Sequence, residues 1–195
     1  QIREGGRVTD DPLRLNLGCG KNLKEGFLNV DKFGEPDLRH DLEEFPWPWE
    51  DNSVSEILLN HVLEHLGRDA DVYFGIIKEI YRVMIPDGRI FIVVPHPRHD
   101  DFINDPTHVR IVTPEHMALF SKTKNQEWAE GGHANSPLGL FIDVDFEVVR
   151  TNITPSPDYV KMLENNIISR EQFLADSRKF NNVIKQYSME VRVVK

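Results

Sequence analysis

Two glycines and one acid carry the densest chemical signal. Gly18 and Gly20 flank Cys19 at the end of LRLNLGCG, and Asp31 closes FLNVD eleven residues after Gly20. A chain leaving a buried parallel strand must turn sharply there, and a ligand can reach its backbone only where no Cβ intervenes. An acid ending the next strand presents two acceptor oxygens, enough for a pair of ribose hydroxyls. The combination suits a nucleoside-bearing ligand. A dinucleotide is not the expected guest, because G-x-G-x-x-G requires glycine at position 23, where Leu23 stands, and an acid about 20 residues on. Nor is there the lysine of a G-x-x-x-x-G-K-[ST] loop to hold a pyrophosphate.

Further groups gather at what read as strand ends. Asp41-Leu42 closes DLRHDL, and Asn60-His61 follows the apolar run Val54 to Leu59. In open α/β sheets ligands lie outside the carboxyl ends of the strands, so Asn60 and His61 are expected to face one. His61 and His65 stand four apart, as in H-E-x-x-H. The sequence is H-V-L-E-H, however, with Glu64 directly before the second histidine, so the zincin geometry is not reproduced and no metal is expected. The second dense stretch is PHPRHDDFINDPTHVRIVTP, residues 95–114. It holds His96, Arg98, His99, Asp100, Asp101, Asp105, His108 and Arg110, too many titratable groups in too long a loop for a plain connection. It reads as an acceptor site or a metal site. Cys19 as a nucleophile would need a helix N-terminus to lower its pKa, and a small residue filling a tight turn explains it more simply.

LNLGCG with G-F-x-N-V-D, then HVLEHL, then DPTHVR followed by TPE, resemble motifs of class I S-adenosylmethionine-dependent methyltransferases, in particular small type-11-like ones. The resemblance runs from about Leu13 to Glu115. It implies an α/β, Rossmann-like sheet, mostly parallel, with an antiparallel C-terminal edge strand and helices on both faces. S-adenosylmethionine would be the cofactor, held by Asn16, Gly18, Cys19, Gly20, Asp31, Asp41, Leu42, Asn60 and His61. In the resemblance Asp31 holds the ribose, Asp41 accepts from the adenine amino group and Leu42 packs on the ring. His108 and His96 would be the catalytic candidates, beside a small-molecule acceptor. Many family members carry an acid where this chain has Asn16, so a formal charge toward the cofactor's ammonium is missing. Two other classes stay open: a metal-dependent hydrolase built on the loop 96–108, and a non-catalytic domain that keeps the cofactor fold as a scaffold.

The elements that must position these groups follow from length and periodicity. With 195 residues and 39% hydrophobic content, one domain with one sizeable core is expected. The net charge of −9 lacks the basic excess that draws nucleic acid, and no apolar run is long enough to span a membrane. One cysteine permits no internal disulfide, and no apolar signal core opens the chain, so the expected compartment is the cytoplasm. Residues 1–12 read as a polar arm, and Trp47 and Trp49 as a cover over the sheet edge.

Arg68 to Met84 places Tyr73, Ile76, Ile77, Ile80, Val83 and Met84 on one helical face, capped by Asp69 or Asp71 and ended by Pro86-Asp87-Gly88. RIFIVVP then reads as a buried strand, which completes a right-handed βαβ unit. Only Lys21 to Gly26 separates the glycine turn from FLNV, room for one helical turn at most. Thr113-Pro114 opens a helix with Met117 and Phe120 inward, and 121–138 reads as a flexible excursion. FEVVRTNI alternates as a strand. A helical insertion is expected over 156–187, with a capping box at Ser169 to Gln172. Phe173, Leu174, Phe180, Val183, Ile184 and Tyr187 would share one face there. SMEVRVVK is expected to close the sheet as its antiparallel edge.

Overall fold

The computed structural model describes residues 11–195, so the expectation for the first ten residues of the N-terminal arm lies outside it. Seven strands form one sheet: β1 Leu13–Leu17, β2 Leu28–Asp31, β3 Leu38–Arg39, β4 Val54–Asn60, β5 Met84–Pro95, β6 Phe146–Pro155 and β7 Ile184–Val193. Their order is β3-β2-β1-β4-β5-β7-β6. The first five run parallel, and β7 pairs antiparallel with both β5 and β6. The mostly parallel α/β sheet is as expected. The edge is not: β6 lies outermost, and the closing strand is inserted between β5 and β6. That strand also begins at Ile184 rather than Ser188, because Gln186 and Tyr187 already pair with β5 on one side and β6 on the other. Met189, Val191 and Val193 are at most 2% exposed because the strand has a neighbour on either side.

Helix α1, Ala70–Val83, is capped by Asp69, whose side chain accepts from the Asp71 N–H, and buries Tyr73, Ile76, Ile77, Ile80 and Val83. It runs straight into β5. Met84 already pairs with Val54, the register shifts, and pairing resumes at Arg89 with Glu56. The Pro86-Asp87-Gly88 turn is therefore a bulge inside the strand, with Asp87 at φ 59°, rather than the end of the helix.

No helix forms between β1 and β2. Residues 18–27 cross back in turns alone, and the single helical turn allowed for is absent. Strand length explains how. A four-residue strand is about 13 Å long, whereas ten residues can reach roughly 33–36 Å. A buried side-chain network replaces the missing helix. The Asn16 side-chain amide donates to the Asn22 carbonyl at 2.9 Å and to Asn29 Oδ1 at 2.8 Å, and that oxygen also accepts from the Lys24 N–H at 2.7 Å. The Asn29 amide in turn donates to Asp37 at 2.7 Å, tying in the connection to β3.

Beyond β5, short helices α2 Asp100–Ile103 and α3 Pro114–Ala118 bracket the 95–114 loop. Thr113 caps α3 as expected, and Met117 and Phe120 are buried. The stretch 121–138 is not a loose excursion. Ser121 caps α4, Lys122–Glu130, and buried Asn125 donates to the Leu119 carbonyl and accepts from the Leu140 N–H of α5, Leu138–Phe141. Polar anchoring of this kind leaves no apolar periodicity to read. Helices α6 Pro157–Glu164 and α7 Arg170–Ser177 form the insertion, with Ser169 capping α7. The proposed six-residue helical stripe does not exist. The helix stops at Ser177, Phe180 is 55% exposed, and Ile184 and Tyr187 belong to β7.

Candidate active site

A cleft at the carboxyl ends of β1, β2 and β4 is lined by Gly18, Asp31, Lys32, Phe33, His40, Asp41, Leu42, His61, Val62, His65 and Leu66. It contains five of the nine residues expected to bind a cofactor, Gly18, Asp31, Asp41, Leu42 and His61. The other four do not line it. Asn16 is 3% exposed, and its amide protons are engaged by the Asn22 carbonyl and Asn29 Oδ1. Cys19 is 5% exposed, and burial first, then the nearby Asp31, pushes its thiol pKa up. With no helix following it, the route to a reactive thiolate is closed. Gly20 donates its N–H to Asp31 Oδ2 at 2.8 Å, and Asn60 is exposed at the end of β4.

Asp31 is held in place by two backbone donors. Its Oδ2 accepts from Gly20 and its Oδ1 from the Phe33 N–H at 2.8 Å, two charge-assisted bonds that fix the carboxylate. Each oxygen keeps a second lone pair toward the cleft. Asp41 sits just past β3; its Oδ1 accepts from the Glu43 N–H at 3.1 Å, and its Oδ2 lies 3.3 Å from Lys32 Nζ. Glu43 is no solvated loop acid, since it accepts from the Gly67 N–H at 2.6 Å. Leu42 is buried on the cleft wall. Trp47 and Trp49 pack edge to face behind it, 3% and 7% exposed, with Trp47 Nε1 donating to the Leu42 carbonyl. Both are packing residues of the core and neither lines the cleft.

Gly18 is required for a reason other than ligand approach. At φ +62° a Cβ would come within 2.5 Å of Val62, so the glycine admits the packing of β1's turn under the cleft wall. Phe33 escaped the sequence reading: it is 70% exposed yet lines the cleft two residues past Asp31. The available signal was a large aromatic inside the polar segment KFGEP.

His61 has φ +56°, an uncommon conformation for a side chain, and its Nδ1 lies 3.2 Å from Glu64 Oε1. That contact raises the His61 pKa above its ordinary value. The loop 95–114 does not assemble as one cluster. His99 caps α2, accepting at Nδ1 from the Asp101 N–H. His96 is 6% exposed against Tyr187, its Nδ1 accepts from the Arg98 N–H, and burial pushes its pKa down to about 4. Of the loop's three histidines, His108 is the one that packs against a cleft-lining residue. It stacks on Phe102 and lies 4.6 Å, ring to ring, from His65, which itself lines the cleft.

Residues 19–92, from the glycine turn to the middle of β5, match the family model described as "Methyltransferase domain". The match covers 74 of the 195 residues, and over that segment the chain is similar to a methyltransferase domain. Solved structures agree on the fold. A SAM-dependent methyltransferase from Archaeoglobus fulgidus is 18% identical, with a TM-score of 0.63 over 94% of this chain and 86% of that one. The YcgJ protein of Bacillus subtilis is 15% identical, at 0.52 over 95% and 92%. The 1,6-didemethyltoxoflavin-N1-methyltransferase of Burkholderia thailandensis, solved with its substrate and S-adenosylhomocysteine, is 16% identical, at 0.52 over 95% and 72%. No curated protein matches the chain significantly. The matched segment contains every cleft-lining residue except Gly18, which directly precedes it. No described helix is long and apolar enough to cross a membrane.

Proposed function

We propose that the cleft binds S-adenosylmethionine and that the chain transfers its methyl group to a small-molecule acceptor. The observation that carries this reading is the convergence of Gly18, Asp31, Asp41, Leu42 and His61, scattered over 44 positions of sequence, on one cleft at the strand ends. Asp31 would hold the ribose hydroxyls and Asp41 the adenine amino group, with Leu42 and Phe33 against the ring. The donor's methyl is already activated as a sulfonium. The protein therefore has to hold donor and acceptor in line with water excluded, and supply a base only to an acceptor that must lose a proton.

His108 is the favoured group on the acceptor side. Its Nδ1 is 2.9 Å from the Phe102 carbonyl, which can only accept, so the neutral ring carries its proton there and leaves Nε2 with a lone pair. Neither histidine lines the cleft, but His108 packs on the cleft-lining His65, whereas His96, held down to about 4 by burial, packs on Tyr187. Titration calorimetry tests the donor half: S-adenosylmethionine or S-adenosylhomocysteine should bind, and NAD binding as tightly would sink the reading. His108→Ala should leave that affinity within about 0.5 kcal/mol while turnover falls roughly 100-fold or more. A large loss of donor affinity would move His108 to the cofactor side.

A further inference from the structure

Beside the cleft lies a group of acceptor atoms with no donor among them. Glu64 is fully buried. Its Oε1 faces His61 Nδ1, and its Oε2 has no hydrogen-bond partner among the described residues. A buried carboxylate oxygen left bare costs about 1–3 kcal/mol or more, so such an atom calls for a cation. Two imidazoles stand with it. His108 offers Nε2, as shown above. For His65 the hydrogen-bond chain decides the tautomer. Thr107 Oγ1 donates its one proton to Asp105 Oδ1 at 2.6 Å, so it can only accept from His65 Nδ1 at 2.9 Å, and the His65 lone pair is again on Nε2.

One ligating atom from each of Glu64, His65 and His108 lies within 4.8 Å of the others. Each imidazole has its remaining nitrogen fixed by a carbonyl or a hydroxyl–carboxylate pair, the support that metal-bound histidines carry.

We propose that Glu64, His65 and His108 bind a divalent transition-metal ion. Two imidazoles and one carboxylate suit Zn²⁺, Mn²⁺, Fe²⁺ or Co²⁺ and leave coordination positions open. His65 is exposed and lines the cleft, so it provides both the route of entry and the direction of the open positions. The zincin spacing is irrelevant here, because the second histidine comes from the 95–114 loop and not from the same helix. With its Nε2 lone pair on the ion, His108 would act on the acceptor through the metal and not as a free base. Resting on the methyl-transfer reading, the ion makes the acceptor one with an oxygen ligand, a hydroxyl or carboxylate, that can occupy an open position next to the donor's methyl.

The test reads metal binding with no methyl donor present. Chelator-treated protein is dialysed against Zn²⁺ and, separately, Co²⁺, with bound metal quantified and the Co²⁺ visible spectrum recorded. About one tightly held equivalent is expected, weakened 10-fold or more in Glu64→Gln, His65→Ala and His108→Ala. His65 is exposed, so its variant keeps the fold, to be checked by circular dichroism for all three. Binding far below one equivalent, or binding unchanged in all three variants, would overturn the proposal. S-adenosylhomocysteine calorimetry on the same samples reports separately on the methyl-donor reading.

Discussion

The two halves of the sheet are built on different principles. On one side β1, β2 and β3 are five, four and two residues long and are joined by turns. On the other, β5, β7 and β6 are twelve, ten and ten residues long and pair over most of their length. Short strands make turn-only parallel crossovers reachable, and every such turn starts beside the cleft. The short half therefore lines the cleft, on backbone held by Asn16, Asn29 and Asp31. The long half carries the extended ladder hydrogen bonds. Cleft lining and extended pairing are divided between them.

The largest expected effect lies in the long half. Met189 is 2% exposed in β7, and Met189→Ala should cost about 2–5 kcal/mol of stability. Donor affinity, measured on the folded fraction, should not change. A parallel loss of binding would break the division.

Gly18→Val sharpens it from the other side. The new side chain meets Val62 and takes a positive φ, at about 1–3 kcal/mol for overpacking and about 1–2 kcal/mol for the left-handed backbone. Denaturant unfolding should show that loss, and combining Gly18→Ala with Val62→Ala should relieve much of the steric part. If Gly18→Val unfolds at the wild-type midpoint, the glycine is not a packing requirement.

Asp31→Ala should lower S-adenosylhomocysteine affinity by about 1.5–3 kcal/mol, the range for hydrogen bonds to a charged group. The loss has two sources, the ribose contact and the released Gly20 and Phe33 N–H groups. An affinity unchanged within error in calorimetry would place the ribose elsewhere.

The smallest effect is a pH dependence in the long half. His96 is buried neutral, its pKa lowered from 6.5 to about 4 by burial first and then by Arg98. The unfolded chain binds that proton more readily, so the contribution of His96 is fully present above about 6.5 and is lost as pH falls toward about 4. Thermal melts across that window should fall less steeply in His96→Asn than in the wild type. Equal slopes would mean that the imidazole protonates as readily folded as unfolded.

What could be read from the chain alone was what short-range chemistry dictates. The glycine turn, the caps at Asp69, Thr113 and Ser169, the apolar face of α1 and the acids at strand ends each depend on a few neighbouring residues, and each stands where it was expected. Long-range pairing was not readable. An alternating strand such as Ile184–Val193 looks alike at an edge or between two partners, so only the tertiary structure places β7 inside and β6 outermost. Polar packing is equally silent in sequence. Asn16 and Asn29 look like surface residues until each is seen to satisfy the other, and α4 hides behind the amide of Asn125. Glu64, His65 and His108 share the same physics: 43 positions separate His65 from His108, and nothing but the packing of the 95–114 loop against the carboxyl end of β4 brings their nitrogens to one carboxylate.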